Sequence, residues 1–205
     1  MMTQLLLIRH GQTEWNQARR IQGNGDSPLT DRGQAQAEAA ANALARFDVA
    51  AIYASDAGRA VQTADPIARA TGLTVRTDAR LRERHYGMFE GKTHDELREQ
   101  HPEIHFEYLK RRPDFVVPGG ESLAELQART VAACTDIAHE QPGKHVAVVA
   151  HGGTIRAFAR YALAVPLNVA WRAQIENGGL TIVQHENTHD FPWTMLTFND
   201  MAHLP

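Results

Sequence analysis

Two stretches of the chain set a histidine and a glycine directly after an apolar run. Leu5-Leu6-Leu7-Ile8 leads into Arg9-His10-Gly11, and Val146-Ala147-Val148-Val149-Ala150 leads into His151-Gly152-Gly153. Phosphoryl transfer through histidine needs a neutral imidazole to attack phosphorus, cations to hold the non-bridging oxygens, and an acid to protonate the leaving oxygen. Arg9 adjoins His10, and Arg59 follows a third apolar run in Ser55-Asp56-Ala57-Gly58-Arg59. Each arginine–phosphate contact is a charge-assisted hydrogen bond, worth about 1.5–3 kcal/mol. Close cations also disfavour the imidazolium, keeping His10 unprotonated at neutral pH.

Such chemistry requires that the two histidines meet. Residues 4–8, 50–54 and 145–150 read as short strands buried on both faces of a largely parallel sheet, whose carboxyl edge is where ligands bind. If the first and last of these neighbour one another, both imidazoles face one point. A helix over 154–163 then adds free N–H groups and a positive dipole end, which favour an anion. Further helices are expected over 34–45, with Thr30 as N-cap, and from about Ala57, where Pro66 should end or kink the helix. Capping boxes open a short helix at Thr93 (with Glu96) and a long one over 122–141 at Ser122 (with Glu125). Leu180–Gln184 and Trp193–Phe198 read as two strands. The alternation predicts an α/β fold, a three-layer α/β/α sandwich with a largely parallel central sheet. One catalytic domain over 1–205 is expected, with an irregular, aromatic-rich, lid-like insertion around 84–120.

The ordered set of motifs resembles the histidine phosphatase superfamily, in its phosphoglycerate-mutase-like branch. The resemblance runs from Leu7-Ile8-Arg9-His10-Gly11-Gln12-Thr13-Glu14-Trp15-Asn16 through Gln22-Gly23, Pro28-Leu29-Thr30 with Gly33, and Ser55-Asp56 with Arg59-Ala60 and Gln62-Thr63-Ala64. It continues in Glu83 with Gly87 and Glu90-Gly91, then Gly120-Glu121-Ser122 and His151-Gly152. It implies that His10 becomes phosphohistidine, that Arg9, Arg59 and His151 complete the phosphate pocket, that Glu83 donates the proton, and that Asn16 and Gly152 contact the ligand. The family's acid-phosphatase branch instead carries an aspartate directly after the second histidine, where Gly152 stands here. Ala57 departs from the family's larger apolar residue. The implied activity is a metal-independent and cofactor-free phosphatase acting on a small phosphorylated metabolite. A mutase is the alternative; phosphoglycerate mutases of this family carry a longer insertion and a longer tail. A non-enzymatic phosphoprotein-binding module would ordinarily have lost the nucleophile or an arginine, and this chain keeps them.

Competing roles stand beside several of these residues. Glu83 lies between Arg82 and Arg84, which makes an ordinary ion pair its alternative role, with Glu90 the second candidate acid. Lys110-Arg111-Arg112 reads first as a solvated charge run and second as a substrate contact. His185-Glu186-Asn187-Thr188-His189 fits the zinc-protease spacing, which works only on a helix; the neighbouring strand-like run and Pro192 favour a hairpin turn.

Composition sets the outer bounds. Across 205 residues, 43% are hydrophobic and 22% charged, as in ordinary globular chains. The formal net charge of -3 disfavours a nucleic-acid binder, so phosphate affinity must come from locally gathered cations. The single cysteine, Cys134, follows helical apolar spacing and reads as a buried thiol. No run suits a membrane span or a signal peptide, which places the expected protein in the cytoplasm.

Overall fold

The computed structural model describes residues 1–186 and 191–205. Its centre is a six-stranded sheet built from β1 (Met2–Arg9), β2 (Val49–Ala54), β3 (Val75–Thr77), β4 (His145–Ala150), β5 (Leu180–Glu186) and β6 (Trp193–Asp200). The spatial order is β3-β2-β4-β1-β5-β6. The first four run parallel, while β5 lies antiparallel to β1 and β6 antiparallel to β5. The sheet is therefore mixed, with a parallel core and an antiparallel edge.

Strand periodicity assigns the two faces. Leu5 and Leu7 of β1, with Val146 and Val148 of β4, meet α6 (Leu123–Glu140) and α7 (Gly152–Ala162), where Ile137 and Phe158 are buried. Leu6 and Ile8, with Ala147 and Val149, meet α2 (Asp31–Leu44) and α3 (Gly58–Thr71) on the opposite face. Both faces of β1 and β4 are thus covered, which explains their unbroken apolar runs. Cys134 lies in the α6 layer, where burial pushes its thiol up from the usual range.

The caps anticipated from sequence form at the helix starts. Thr30 accepts the Gly33 N–H at 3.1 Å, and Ser122 and Thr93 each close a reciprocal box with the glutamate three residues on. Pro66, however, does not end α3, which runs on to Thr71 and stops at Gly72 in the left-handed region (φ 71°). An interior proline costs about 3 kcal/mol. Here Ala60, Thr63, Ala64, Pro66 and Ile67 all bury along one face, and that packing holds the helix through it.

The segment over 84–120 is less irregular than its composition suggests. It contains α4 (His94–Gln100) and α5 (Pro102–Leu109), and Phe89, Leu97 and Val117 form a small core beneath them. Helix α5 escapes detection by apolar spacing because its buried residue is His105, which meets His94 Nδ1 at 3.0 Å and packs on Phe89. A short helix, α1 (Glu14–Gln17), and the strand β3 are likewise too brief for periodicity to mark. Of the zinc-protease-like stretch, His185 and Glu186 end β5, paired with Trp193 and Met2, and are strand rather than helix. Asn187, Thr188 and His189, and with them the turn expected there, lie outside the described residues. Among the described residues no helix is long and apolar enough to cross a membrane, and no three His, Cys, Asp or Glu side chains group to hold a metal ion.

Candidate functional site

Strands β1 and β4 are adjacent and in register, with Arg9 opposite Ala150. The ladder continues one step, His10 N–H donating to the Ala150 carbonyl at 2.9 Å. The following residues therefore emerge side by side at the carboxyl edge. His10 and His151 are buried with ring centroids 5.1 Å apart and planes at 61°.

Several contacts fix His10. Its Nδ1 lies 2.8 Å from the Gly11 carbonyl. A carbonyl can only accept, so Nδ1 carries the hydrogen and Nε2 keeps the lone pair. Gly11 N–H donates to Thr63 Oγ1, which donates in turn to the Arg59 carbonyl, tying the end of β1 to α3. Asn177 donates to the His10 carbonyl at 2.9 Å and to Asn16 Oδ1 at 3.2 Å. Burial, then the charges of Arg59 and Arg9, hold His10 well below the usual histidine range. His151 is lowered likewise, by burial first and then by Arg59. Both rings are neutral at pH 7.

The two guanidiniums are held from behind. Arg59, with its side chain wholly buried, donates to the Gly25 and Gly23 carbonyls at 2.7 and 2.8 Å and to Asp26 Oδ1 at 2.9 Å. Arg9 donates to the Ile175 carbonyl at 2.5 Å. Each keeps a buried Nε–H without a partner, as do both ring nitrogens of His151. Buried polar atoms left unpaired cost about 1–3 kcal/mol each. The four atoms belong to residues that surround the His10 ring.

Glu83 completes the wall. Its Oε2 accepts the Gly153 N–H at 2.8 Å, at the start of α7, and its Oε1 accepts the Arg84 N–H at 2.7 Å. Neither neighbouring arginine takes it as an ion-pair partner. Arg82 pairs with Asp56 at 2.6 Å, and Arg84 donates to the Phe115 and Glu121 carbonyls. Glu90, the other candidate acid, accepts backbone N–H groups from Asn24, Gly25 and Tyr86 and so holds the 22–25 loop in place.

Arg9, His10, Asn16, Arg59 and Glu83 line a cavity of about 190 Å³, with Tyr86, His94 and Tyr108 of the 84–120 segment on its rim. His151 and Gly152 do not line it directly. His151 packs against the His10 ring, and Gly152 lies so close to Arg9 that an added Cβ would sit 3.3 Å from Nε.

Sequence reasoning passed over several supporting residues. Gly153 lies beside a glycine already singled out; Asn177 and Asp26 sit in loops that reach the site only through the fold. Arg129, on α6, donates to the Arg80, Arg82 and Glu83 carbonyls at 2.8, 2.7 and 2.9 Å and so fixes the backbone that presents Glu83. In sequence it is one more helix arginine.

Comparison with known proteins meets this geometry. A model of the histidine phosphatase superfamily (branch 1) matches residues 5–201. The chain belongs to the histidine phosphatase superfamily. A curated relative from Serratia proteamaculans, named "Probable phosphoglycerate mutase GpmB", is 35% identical over 205 residues, covering 99% of this chain and 95% of that protein. Among solved structures, Bacillus stearothermophilus YhfR superposes with a TM-score of 0.92 at 32% identity, covering 99% of this chain and all of the other. A mycobacterial glucosyl-3-phosphoglycerate phosphatase in complex with VO3 superposes with a TM-score of 0.84 at 32% identity, covering 96% and 98%. This histidine phosphatase superfamily member is therefore an α/β enzyme of the histidine phosphatase kind.

Proposed function

We propose that the protein is a metal-independent phosphatase of small phosphomonoesters that works through a phosphohistidine at His10. The observation that carries the reading is the convergence of two neutral histidines and two arginines with unpartnered N–H groups on one strand edge. In the first step His10 Nε2 attacks phosphorus and the ester P–O bond breaks, while Glu83 gives its proton to the departing oxygen. In the second, Glu83 takes a proton from water, the water oxygen attacks phosphorus, and the P–N bond breaks to release phosphate. Arg9, Arg59 and His151 hold the non-bridging oxygens, with the N-terminus of α7 behind them. For His151 to do so, the phosphoryl group must settle at the edge of the His10 ring. Asn16 and Gly152 shape the same pocket, Asn16 from its wall and Gly152 by letting Arg9 come close.

A mutase would use the same first step and return the phosphoryl group to an organic oxygen instead of water. Chain length does not separate the two, because the mutase-named relative is covered over 95% of its length. Access of water favours the phosphatase: the rim residue His94 is exposed, and the cavity itself opens to solvent.

The test is a phosphate-release screen over phosphoglycerates, sugar phosphates and nucleotides, run beside a mutase assay and repeated in excess EDTA. Phosphate release that survives EDTA, with an acid-labile, base-stable adduct trapped on His10 by rapid quench, is the expected result. Activity in His10→Ala above a few percent of wild type, dependence on added metal, or phosphoryl return outrunning phosphate release would each overturn it.

A further inference from the structure

The irregular stretch between α7 and β5 closes on the end of β1 through its own backbone. Gly178 N–H donates to the Arg9 carbonyl at 2.9 Å, and the Gly179 carbonyl accepts the Arg9 N–H at 3.2 Å. The Ile175 carbonyl accepts from the Arg9 guanidinium. Asn177, half-buried in the middle of this clasp, reaches further with its side chain. Its Nδ2 lies 2.9 Å from the His10 carbonyl and 3.2 Å from Asn16 Oδ1.

Backbone groups fix which way both amides face, because their own donor and acceptor roles are invariant. The His10 carbonyl can only accept, so the Asn177 atom facing it is the nitrogen. That nitrogen spends its two hydrogens on the His10 carbonyl and on Asn16. The Thr13 N–H can only donate, so the Asn16 atom it meets at 3.2 Å is the oxygen. Asn16 Oδ1 therefore accepts twice, which fills both of its lone pairs. Asn16 Nδ2 is left with two hydrogens and no acceptor among the described residues. It belongs to a side chain that lines the catalytic cavity with Arg9, His10 and Arg59. Turned the other way, the same amide would set a lone pair against a phosphate oxygen. The Thr13 contact is local to α1, a helix of four residues with none buried. Asn177, 161 positions along the chain, ties the amide to the sheet.

We propose that Asn177 is a positioning residue: by holding Asn16 Oδ1 it turns Asn16 Nδ2 toward the cavity as a donor to a non-bridging phosphate oxygen. The same amide steadies the backbone of His10. The role rests on the phosphomonoester reading, since only a ligand that accepts at this point makes the direction of the Asn16 amide matter. Asn177 touches no substrate and acts through Asn16. An Asn16 held in this way has no lone pair left for a ligand that donates, so the pair selects for an acceptor without adding charge.

The test is a double-mutant cycle on the affinity for vanadate and inorganic phosphate, measured by calorimetry in wild type, Asn16→Ala, Asn177→Asp and the double variant. Asn177→Asp keeps the size of the side chain but presents only acceptors, which draws Asn16 Nδ2 back from the cavity. Asn16→Ala should weaken binding by about tenfold or more, as loss of one charge-assisted contact does. The loss caused by Asn177→Asp should be about tenfold larger with Asn16 present than in the Asn16→Ala background. The added charge and the altered contact to the His10 carbonyl act in both backgrounds and cancel. Equal losses in the two backgrounds overturn the role and leave Asn177 a support of the His10 backbone. In wild type, the Asn16 side-chain amide protons, assigned by their absence from the NMR spectrum of Asn16→Ala, should shift on saturation with phosphate. Unmoved protons with phosphate bound overturn the proposal whether or not the Asn177 variants fold. If wild type binds neither anion, the phosphomonoester reading fails and this role with it; binding with additive losses fails Asn177 alone.

Discussion

Glu83 and Glu90 are both glutamates in the same stretch, both accept backbone N–H groups, and only their surroundings separate them. Glu90 is saturated by three N–H donors and closes a loop. Glu83 is braced by two and borders the cavity beside His10. An alkoxide leaves poorly unless protonated, whereas p-nitrophenolate departs with little help. Glu83→Gln should therefore slow an alkyl phosphate by roughly 10²–10⁴ and p-nitrophenyl phosphate far less. Equal slowing of both in steady-state assays would assign Glu83 a structural role, and selective slowing in Glu90→Gln alone would move the acid there. At this scale residue type alone does not separate the two acids; the family resemblance names Glu83 as the proton donor, with Glu90 second.

At the scale of elements, the ends of β1 and β4 and the first turn of α7 do the positioning. His151 is the N-cap of α7 but makes no side-chain cap, and Glu83 takes the Gly153 N–H in its stead. An added Cβ at Gly153 would lie 2.1 Å from Glu83 Oε1. The carboxylate is the movable end of its side chain, whereas α7 is anchored by buried Ile155, Ala157 and Phe158. Gly153→Ala should consequently fold with stability within about 1 kcal/mol of wild type, because alanine favours the helix. It should still reproduce the substrate-selective slowing of Glu83→Gln. Urea denaturation and the two-substrate assay check the two halves; unimpaired turnover of alkyl phosphates would show that Glu83 acts without its tie to α7.

Across the whole molecule, burying two neutral histidines makes stability depend on pH. Both stand well below the usual histidine range in the folded state, chiefly through burial, while in the unfolded chain they titrate near pH 6.5. The unfolded chain thus takes up more protons below about pH 6.5, and stability falls as pH falls through that value. The slope should reach about 1.4 kcal/mol per pH unit for each histidine. Urea midpoints between about pH 7 and 5.5 should drop accordingly, and His151→Asn should flatten the trend. A wild-type midpoint that is level over this window would mean that neither ring is held neutral in the fold.

Much of the architecture was written locally. Apolar runs buried on both faces announced the parallel core, and Thr30, Thr93 and Ser122 announced helix starts, because these signals act over a few neighbouring residues. The strand-end histidines and their family signature pointed to the same edge. What local signals could not carry was who stands beside whom. That β4 inserts between β2 and β1 is what places His151 against His10. That α6 lies under the 80–83 segment is what lets Arg129 hold Glu83's backbone. The same holds for α5, whose burial runs through a histidine, and for Pro66, which does not end its helix because packing carries the helix on to Thr71. Motif and period are properties of neighbours along the chain. The partners of Arg59, Glu83 and Arg129 are set by contacts between distant segments, which exist only once the chain has closed on itself.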